Sequence, residues 1–310
     1  MTASVRVVIV RWRGGDEIRL CLDSLLANAG SRLAHVVLVD SGSADGEAER
    51  LAADYPEIEV IALAENRGFA FAAGCGAAEG SEPLLLLLNP DTEVWPGTLD
   101  LLIEQLVNRP GAAGCVPLLE GFDGESQHQW QLRHLPKMRQ LAIGRPGNHL
   151  CSAPPMQPIT VPQPAAAAWL VRRIVWEALG GLDPTFEPAW WEDVDFCARL
   201  DRQLRDPGFP ADDGFFVVPG AKILHGGGSS VSALGPEAFF SAYFTNLLRY
   251  TARHHPGRLG LIRRGLQASL TARMYLRPGQ RQACRAALAA IASRPRRNPD
   301  YDSGQWMMRR

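Results

Sequence analysis

LLLLLNPDTEVWPG, residues 84–97, decides how this chain is read. Five consecutive leucines stop at Asn89-Pro90-Asp91. An apolar run this short suits a strand buried on both faces, and it is far too short to span a bilayer. Proline cannot donate to a central sheet ladder, so the strand ends at Pro90. Asp91 is thereby set just past the strand's carboxyl end, where an open α/β sheet keeps its ligand crevice.

Upstream, VRVVIV (Val5–Val10), HVVLVD (His35–Asp40) and IEVIAL (Ile58–Leu63) read as three further strands, the second also ending in Asp. Between the first two, Ile18, Cys21, Leu22, Leu25 and Leu26 form one apolar helix face that Gly30 terminates. GEAERLAADY and the small-residue stretch after ENRGFA read as two more helices. Strand and helix alternating over the first ninety or so residues predicts right-handed crossovers and a largely parallel sheet with helices on both faces.

Downstream, Leu119–Pro164 is rich in Pro, Gly, Gln and His and has weak periodicity. Long irregular stretches inside a compact domain are often lids or acceptor loops. WWEDVDFCARLDRQL opens a helix in which Phe196, Leu200 and Leu204 recur every four residues. FFVVPGAKILHGGGSS reads as two short strands and a Gly-rich loop. From Ala233 onward the chain reads as helical and basic, with disorder expected over the last residues.

Composition bounds what such a sheet can serve. The 310 residues, 46% hydrophobic, suggest one large domain, or one domain plus a helical annex. The net charge of −1 hides an asymmetry. From Arg253 onward there are 13 Arg, no Lys and 2 Asp, a balance of +11 that leaves the rest at −12. An arginine-only tail on an acidic body suits either a solvated helical tail or one that meets an anionic surface. Six scattered cysteines with no C-x-x-C pair suggest neither a zinc site nor a disulfide framework, which fits a reducing cytosol. Val5–Val10 is too short for a signal-peptide core and contains Arg6, so neither a signal peptide nor a membrane span is expected.

A dinucleotide-binding domain would need G-x-G-x-x-G directly after the first strand, where the chain has RWRGGDE instead. Gly74-Cys75-Gly76 with Gly80 has the wrong spacing, and no P-loop occurs. What remains is a sheet whose strand ends carry Asp40 and Asp91. Carboxylates there suit a nucleoside diphosphate held with Mg²⁺ or Mn²⁺, which prefer carboxylate, phosphate and water oxygens. Taken singly, each Asp could equally be a turn residue.

Five segments in order narrow the reading: VVLVDSGSADG, ENRGFA, LLLLLNPDTEVWPG, WWEDVDFCARL and KILHGGGSS. Together they closely resemble the family 2 glycosyltransferases, in particular the bacterial rhamnosyltransferase-like branch. The likeness runs from the first strand to about His255, with LVRR and GGLDPTF in the expected order. It implies an α/β fold of GT-A type: a Rossmann-like, mostly parallel sheet with helices on both faces, plus a C-terminal helical extension. The expected division is a catalytic domain over 1–232, with a nucleotide-sugar half to about 118 and an acceptor half beyond, and a basic extension over 233–310.

The resemblance also assigns roles. Asp40 would contact the donor's base or ribose. Asn89-Pro90-Asp91 matches the D-x-D element with Asn in its first acidic position, which makes Asp91 the main metal carboxylate. Glu192-Asp193 matches the acidic pair whose Asp is the catalytic base, and His225 matches the late His that completes metal or diphosphate binding. Asn66, Arg67, Gly68 and Asn89 fall on the donor side. Trp190 and Trp191 are candidates for the acceptor's sugar faces. The first strand's usual Asn-Tyr-Asn type turn is Arg11-Trp12-Arg13 here, where Trp12 could stack on the base and Arg11 reach the diphosphate.

Independently of the resemblance, Glu192, Asp193 and Asp195 crowd the first turn of a helix, where the dipole favours anions. Asp195 is read as no more than a favourable first-turn residue. The activity implied is inverting transfer from a nucleoside-diphosphate sugar, dTDP-rhamnose or a UDP-sugar, to a hydroxyl of a glycan or lipid-linked glycan. The enzyme would work in the cytoplasm, at the inner membrane face where the acceptor is lipid-linked. No nucleic-acid partner is expected. Leu259, Leu261, Ile262, Leu266, Leu270 and Tyr275, among Arg258, Arg263, Arg264, Arg273 and Arg277, could form a face for peripheral membrane contact, a homodimer or packing on the body. The rival readings are a nucleotidyltransferase, which leaves WWEDVDF unexplained, and a sugar-nucleotide-binding or assembly subunit with little activity, which Asn89 would suit.

Overall fold

The structure, a computed structural model, describes residues 4–28, 30–227 and 234–292. Its first half follows the predicted alternation: β1 (Val5–Arg11), α1 (Glu17–Asn28), β2 (Leu33–Asp40), α2 (Glu47–Asp54), β3 (Glu59–Ala62), α3 (Phe69–Ala78) and β4 (Leu84–Leu88). Then come β5 (Thr92–Val94), α4 (Thr98–Val107), β6 (Ala112–Glu120), α5 (His128–Gln131), β7 (Leu132–Arg133), α6 (Met138–Ile143), β8 (Ile159–Val161) and β9 (Gln163–Pro164). The chain continues through β10 (Ala168–Arg172), α7 (Arg173–Leu179), α8 (Glu192–Gln203), β11 (Asp213–His225), α9 (Pro236–His254), α10 (Leu259–Leu276) and α11 (Arg281–Ala292).

The main sheet runs β3-β2-β1-β4-β10-β6-β11-β5, with β8 also on β11. Its first four strands are parallel, and β10 enters antiparallel between β4 and β6. The five leucines lie near its centre and sort by the two-residue strand period. Leu84, Leu86 and Leu88 join Ile18, Leu22, Leu25, Leu99 and Leu102 in one core layer. Leu85 and Leu87 face the other, with Ala70, Ala73, Trp169 and Phe196. A strand covered on both sides reads as a continuous apolar run. α3 lies very close to the sheet: a Cβ on Gly76 would sit 2.5 Å from Val8 Cγ1, which accounts for its run of small residues.

One expectation needs correction, and one left open is decided. FFVVPGAKILH is one strand, not two. β11 keeps its parallel pairing with β6 across a register shift between Val218 and Lys222, where Pro219 has no N–H to give the ladder. Of the alternatives for the tail's apolar face, packing on the body is the one its inner residues adopt. Ile262, Leu266 and Leu270 are buried in a third core with Phe186, Trp191 and Val194 from the body and Phe244 and Leu247 from α9. The extension is therefore packed onto α8, while Leu261, Tyr275 and Leu276 remain exposed. No described helix is long and apolar enough to cross a membrane. The Gly-rich loop beyond Gly227 and the final residues 293–310, where loop and disorder are expected, lie outside the described residues.

Candidate active site

A cavity of about 880 Å³ opens over the carboxyl ends of the parallel strands. Its wall takes Trp12 from the end of β1, Ser41 after β2, Asn89 and Asp91 after β4, and His225 at the end of β11. Glu192 and Asp193 join them from the start of α8.

Strand register brings Asp91 and His225 together. β5 pairs antiparallel with β11 so that Thr92 faces His225, and the Gly226 N–H donates to the Asp91 carbonyl at 2.8 Å. His225 Nε2 then lies 3.6 Å from Asp91 Oδ1 and 3.3 Å from Asn89 Nδ2. The ring is fixed from its far side by Gln127, whose amide nitrogen donates to the His225 carbonyl at 2.8 Å. That leaves Gln127 Oε1 to accept from Nδ1–H, also at 2.8 Å. This tautomer turns the Nε2 lone pair toward Asp91. Burial lowers the His225 pKa against the opposing pull of Asp91, which favours the neutral ring. Trp130 stacks on it at 5.2 Å.

This donor set fits a divalent cation. A buried carboxylate and an imidazole lone pair face one cavity, and the imidazole's other nitrogen is bonded as metal-binding histidines usually are. The described residues hold no group of three or more His, Cys, Asp or Glu that could hold a metal. The remaining positions would thus fall to diphosphate oxygens and water, the usual arrangement for Mg²⁺ at phosphates.

The other donor-side candidates divide. Trp12, Asn66 and Asn89 are on the wall. Asn66 Oδ1 accepts from the Gly68 N–H at 2.9 Å and the Ser41 hydroxyl at 3.2 Å. Gly68 stands at φ +84° behind the wall, where a Cβ would lie 2.8 Å from the Pro188 carbonyl oxygen. Arg67 is exposed, with its guanidinium over Phe71 at 3.8 Å. Arg11 does not reach the cavity. It is 2% exposed, ion-paired with Asp40 and bonded to Asp45 at 2.8 Å. Asp40 lies behind the wall too, where it accepts from the Ser43 N–H at 2.8 Å and stabilises the turn carrying Ser41. A charge buried this deeply needs its partner, so Arg11 supports the turn rather than a ligand.

At the start of α8, Trp190 and Trp191 both have left-handed backbone, at φ 71° and 79°. Bulky residues there store strain that the surroundings must hold. Asn246 of α9, fully buried, supplies the hold: its amide nitrogen lies 2.9 to 3.2 Å from the carbonyls of Glu187, Ala189 and Trp190. Trp191 is buried against Tyr243 and Tyr250 at 5.5 and 5.4 Å. Trp190, half-buried beside Phe239, keeps a face that a sugar could meet.

The three acids of α8 differ sharply. Asp193 Oδ1 accepts from the Val194 N–H at 2.7 Å and Oδ2 from Gln163 Nε2 at 3.1 Å, with Arg133 at 3.8 Å. Burial pushes its pKa up, and Arg133 and the backbone donors oppose the rise. Glu192 is raised well above the carboxylate range by burial and the Asp193 charge, and its Oε2 has no hydrogen-bond partner. Two adjoining acids so placed favour a charged Asp193 beside a protonated Glu192. Asp195 belongs to the third core. Arg199 at 2.8 Å, His254 at 2.7 Å and Arg253 at 3.5 Å surround it and hold its pKa well below the usual range.

Sequence reading missed Gln127, Trp130, Arg133, Gln163 and Asn246. Four lie in the irregular stretch, where no periodicity marks a polar residue as placed. The fifth sits in a mostly apolar helix face.

The fold is one seen in solved transferases. It is similar to the crystal structure of GalNAc-T7 with UDP, GalNAc and Mn²⁺, with a TM-score of 0.60 and 16% identity over 82% of this chain and 51% of that one. It is also similar to the mannosyltransferase PcManGT from Pyrobaculum calidifontis in complex with GDP-Man and Mn²⁺. There the TM-score is 0.53 and the identity 15%, over 94% of this chain and 86% of that one. The expected GT-A type α/β fold is thereby shown.

The Glycosyl transferase family 2 model matches residues 7–158, and the chain belongs to that family. It is 27% identical, over 95% of its own length and all of the relative's, to an N-acetylglucosaminyl-diphospho-decaprenol L-rhamnosyltransferase of Mycobacterium tuberculosis. An O-antigen biosynthesis protein of Myxococcus xanthus is 30% identical over 65% of this chain and 16% of that protein. The chain is thus a rhamnosyltransferase-like glycosyltransferase, and the nucleotidyltransferase reading falls away.

Proposed function

We propose that the chain transfers a sugar from a nucleoside-diphosphate sugar, dTDP-rhamnose before a UDP-sugar, to a hydroxyl of a glycan or lipid-linked glycan, with inversion at the anomeric carbon. The observation that carries this is the meeting of Asp193 with the Asp91–His225 pair on one cavity. Similarity along the whole length of a rhamnosyltransferase supports the donor class. The catalytic domain is 1–232, and the helical extension braces its acceptor side.

Asp193 takes the proton of the acceptor hydroxyl. That oxygen attacks the anomeric carbon from the face opposite the diphosphate, and the carbon–oxygen bond to the diphosphate breaks as the leaving group departs with the electron pair. Glu192, held protonated by burial and by the Asp193 charge, does not compete for the proton. Trp12 covers the base, and Asn66 and Asn89 line the donor's path. Asp91 and His225 would hold Mg²⁺ or Mn²⁺, which supplies charge neutralisation at a diphosphate.

Two measurements test this. In a thermal-shift panel of dTDP-, UDP- and GDP-sugars with Mn²⁺, the true donor at 100 times its Kd should add about 2.7 kcal/mol of stability. Proton NMR of the transfer product should show the anomeric configuration opposite to the donor's. A retained configuration, or stabilisation by none of the panel, would overturn the proposal.

A further inference from the structure

The two-stranded ribbon of β7 and β9 has no counterpart in the parallel half of the fold. Its antiparallel register sets Leu132 opposite Pro164 and Arg133 opposite Gln163. The second pair points at one oxygen. Gln163 Nε2 lies 3.1 Å from Asp193 Oδ2, and Arg133 Nη2 lies 3.8 Å from the same atom. Gln163 is fully buried, and its amide nitrogen is also anchored on the Pro164 carbonyl at 2.9 Å, so its reach is fixed. Arg133 is 13% exposed and on the cavity wall, and its Nε has no hydrogen-bond partner. Protein acceptors thus leave this guanidinium partly unsatisfied beside the carboxylate.

We propose that Arg133 and Gln163 form a two-armed clamp that holds Asp193 as an aligned carboxylate for proton abstraction. This rests on Asp193 being the base. Gln163 fixes the rotation of the carboxylate, and Arg133 supplies the charge that keeps it ionised. Both act through Asp193 and are positioning residues. The need for such a clamp follows from the surroundings. Asp193 lies next to buried Glu192, with Asp195, the Cys197 thiol and the Tyr243 phenol nearby, and facing this anionic or neutral set is the Arg133 guanidinium. The remaining basic side chains close by, Arg199, Arg253 and His254, are bound to Asp195.

Substitution of Arg133 by a neutral side chain removes a positive charge about 4 Å from the carboxylate, a change that moves a carboxyl titration by about 1–3 pH units. The direct reading is carbon-13 NMR of the full chain labelled at the Asp side-chain carboxyls, with the Asp193 signal assigned by its loss in Asp193→Asn. In Arg133→Gln the Asp193 midpoint should move up by about 1–3 pH units, and in Arg133→Lys it should stay near the parent's. Gln163→Leu should also raise it, by less, and decides the matter if Arg133→Gln does not fold. Nucleoside diphosphate affinity, which neither substitution should alter, reports the fold.

An unmoved midpoint in the folded Arg133→Gln protein, or in Gln163→Leu should that be the only folded variant, overturns the clamp. The acid limb of sugar transfer from dTDP-rhamnose should follow the same shift, with activity recovered at higher pH. A shifted NMR midpoint with transfer indifferent to Asp193→Asn would instead overturn the role of Asp193 and leave the clamp standing.

Discussion

The two sides of the cavity are built by different means. On the donor side, Trp12, Ser41, Asn89 and Asp91 stand at the ends of strands, and backbone ladders fix where they are. On the acceptor side, Glu192 and Asp193 open α8 directly after the strained backbone of the two tryptophans, and single side chains from elsewhere hold the group: Gln163 and Arg133 from the ribbon, Asn246 from α9. A ladder shares its load over many hydrogen bonds, whereas a clamp concentrates it in one or two. Substitutions on the acceptor side should therefore change turnover through few atoms, and those on the donor side should change binding.

The largest effect expected is at Asp193. Asp193→Asn should lower transfer by about two to four orders of magnitude, the usual worth of a general base, with nucleoside diphosphate affinity kept. Loss of affinity to the same degree would dissolve the distinction between the two sides.

Asp195, two residues on, should behave in the opposite way. Asp195→Ala leaves Arg199, Arg253 and His254 around an empty place in the core and should cost about 3–5 kcal/mol in urea unfolding. Its pH dependence has a definite sign. The depressed pKa of Asp195 gives stability that is present above its unfolded value near 4 and is lost as pH falls toward the folded value. The lowered pKa of His254 adds a further loss as pH falls below about 6.5. Stability should therefore rise from acid to neutral pH in the parent and rise less in Asp195→Ala.

Gln127 sharpens the comparison, because it is a clamp that serves the donor side. Gln127→Leu removes the partner that fixes the His225 tautomer and should weaken Mn²⁺ binding, measured by calorimetry with nucleoside diphosphate present, by about 10–100-fold. Unchanged Mn²⁺ affinity would show that strand register alone suffices there. The smallest effect belongs to Asn246→Ala, which leaves three part-buried carbonyls without their donor and should cost about 1–3 kcal/mol of stability. If Asn246 also holds the tryptophan turn for catalysis, turnover at saturating donor should fall while donor affinity does not.

The donor side was legible because its signals are local. Leu84–Leu88 announces a doubly covered strand, and Pro90 ends it one residue before Asp91. The same logic misjudged Arg11. Its position at a strand end suggested a ligand contact, but two acids, Asp40 at the end of β2 and Asp45 in the loop after it, capture it. It likewise split β11 at Pro219, although pairing with β6 carries the strand past that residue. The acceptor side was legible only as the motif WWEDVDF. Which of its three acids faces the cavity follows from the helical turn and from what packs around it.

The sequence by itself determined the alternating strands and helices, the acidic strand end at Asp91 and the acidic pair at Glu192–Asp193. Hydrophobic period, proline and first-turn charge act over a few residues and need no partner to be read. Only the tertiary structure decided that Gln127 turns His225 toward Asp91, that Asp195 and the buried leucines of α10 bind the extension to α8, and that Arg133 and Gln163 meet at Asp193. Those contacts join positions from 30 to more than 90 residues apart along the chain. A hydrogen bond or ion pair at such separation leaves no periodic trace in the sequence, because its energy depends on where the backbone brings two side chains and not on the residues that flank either one.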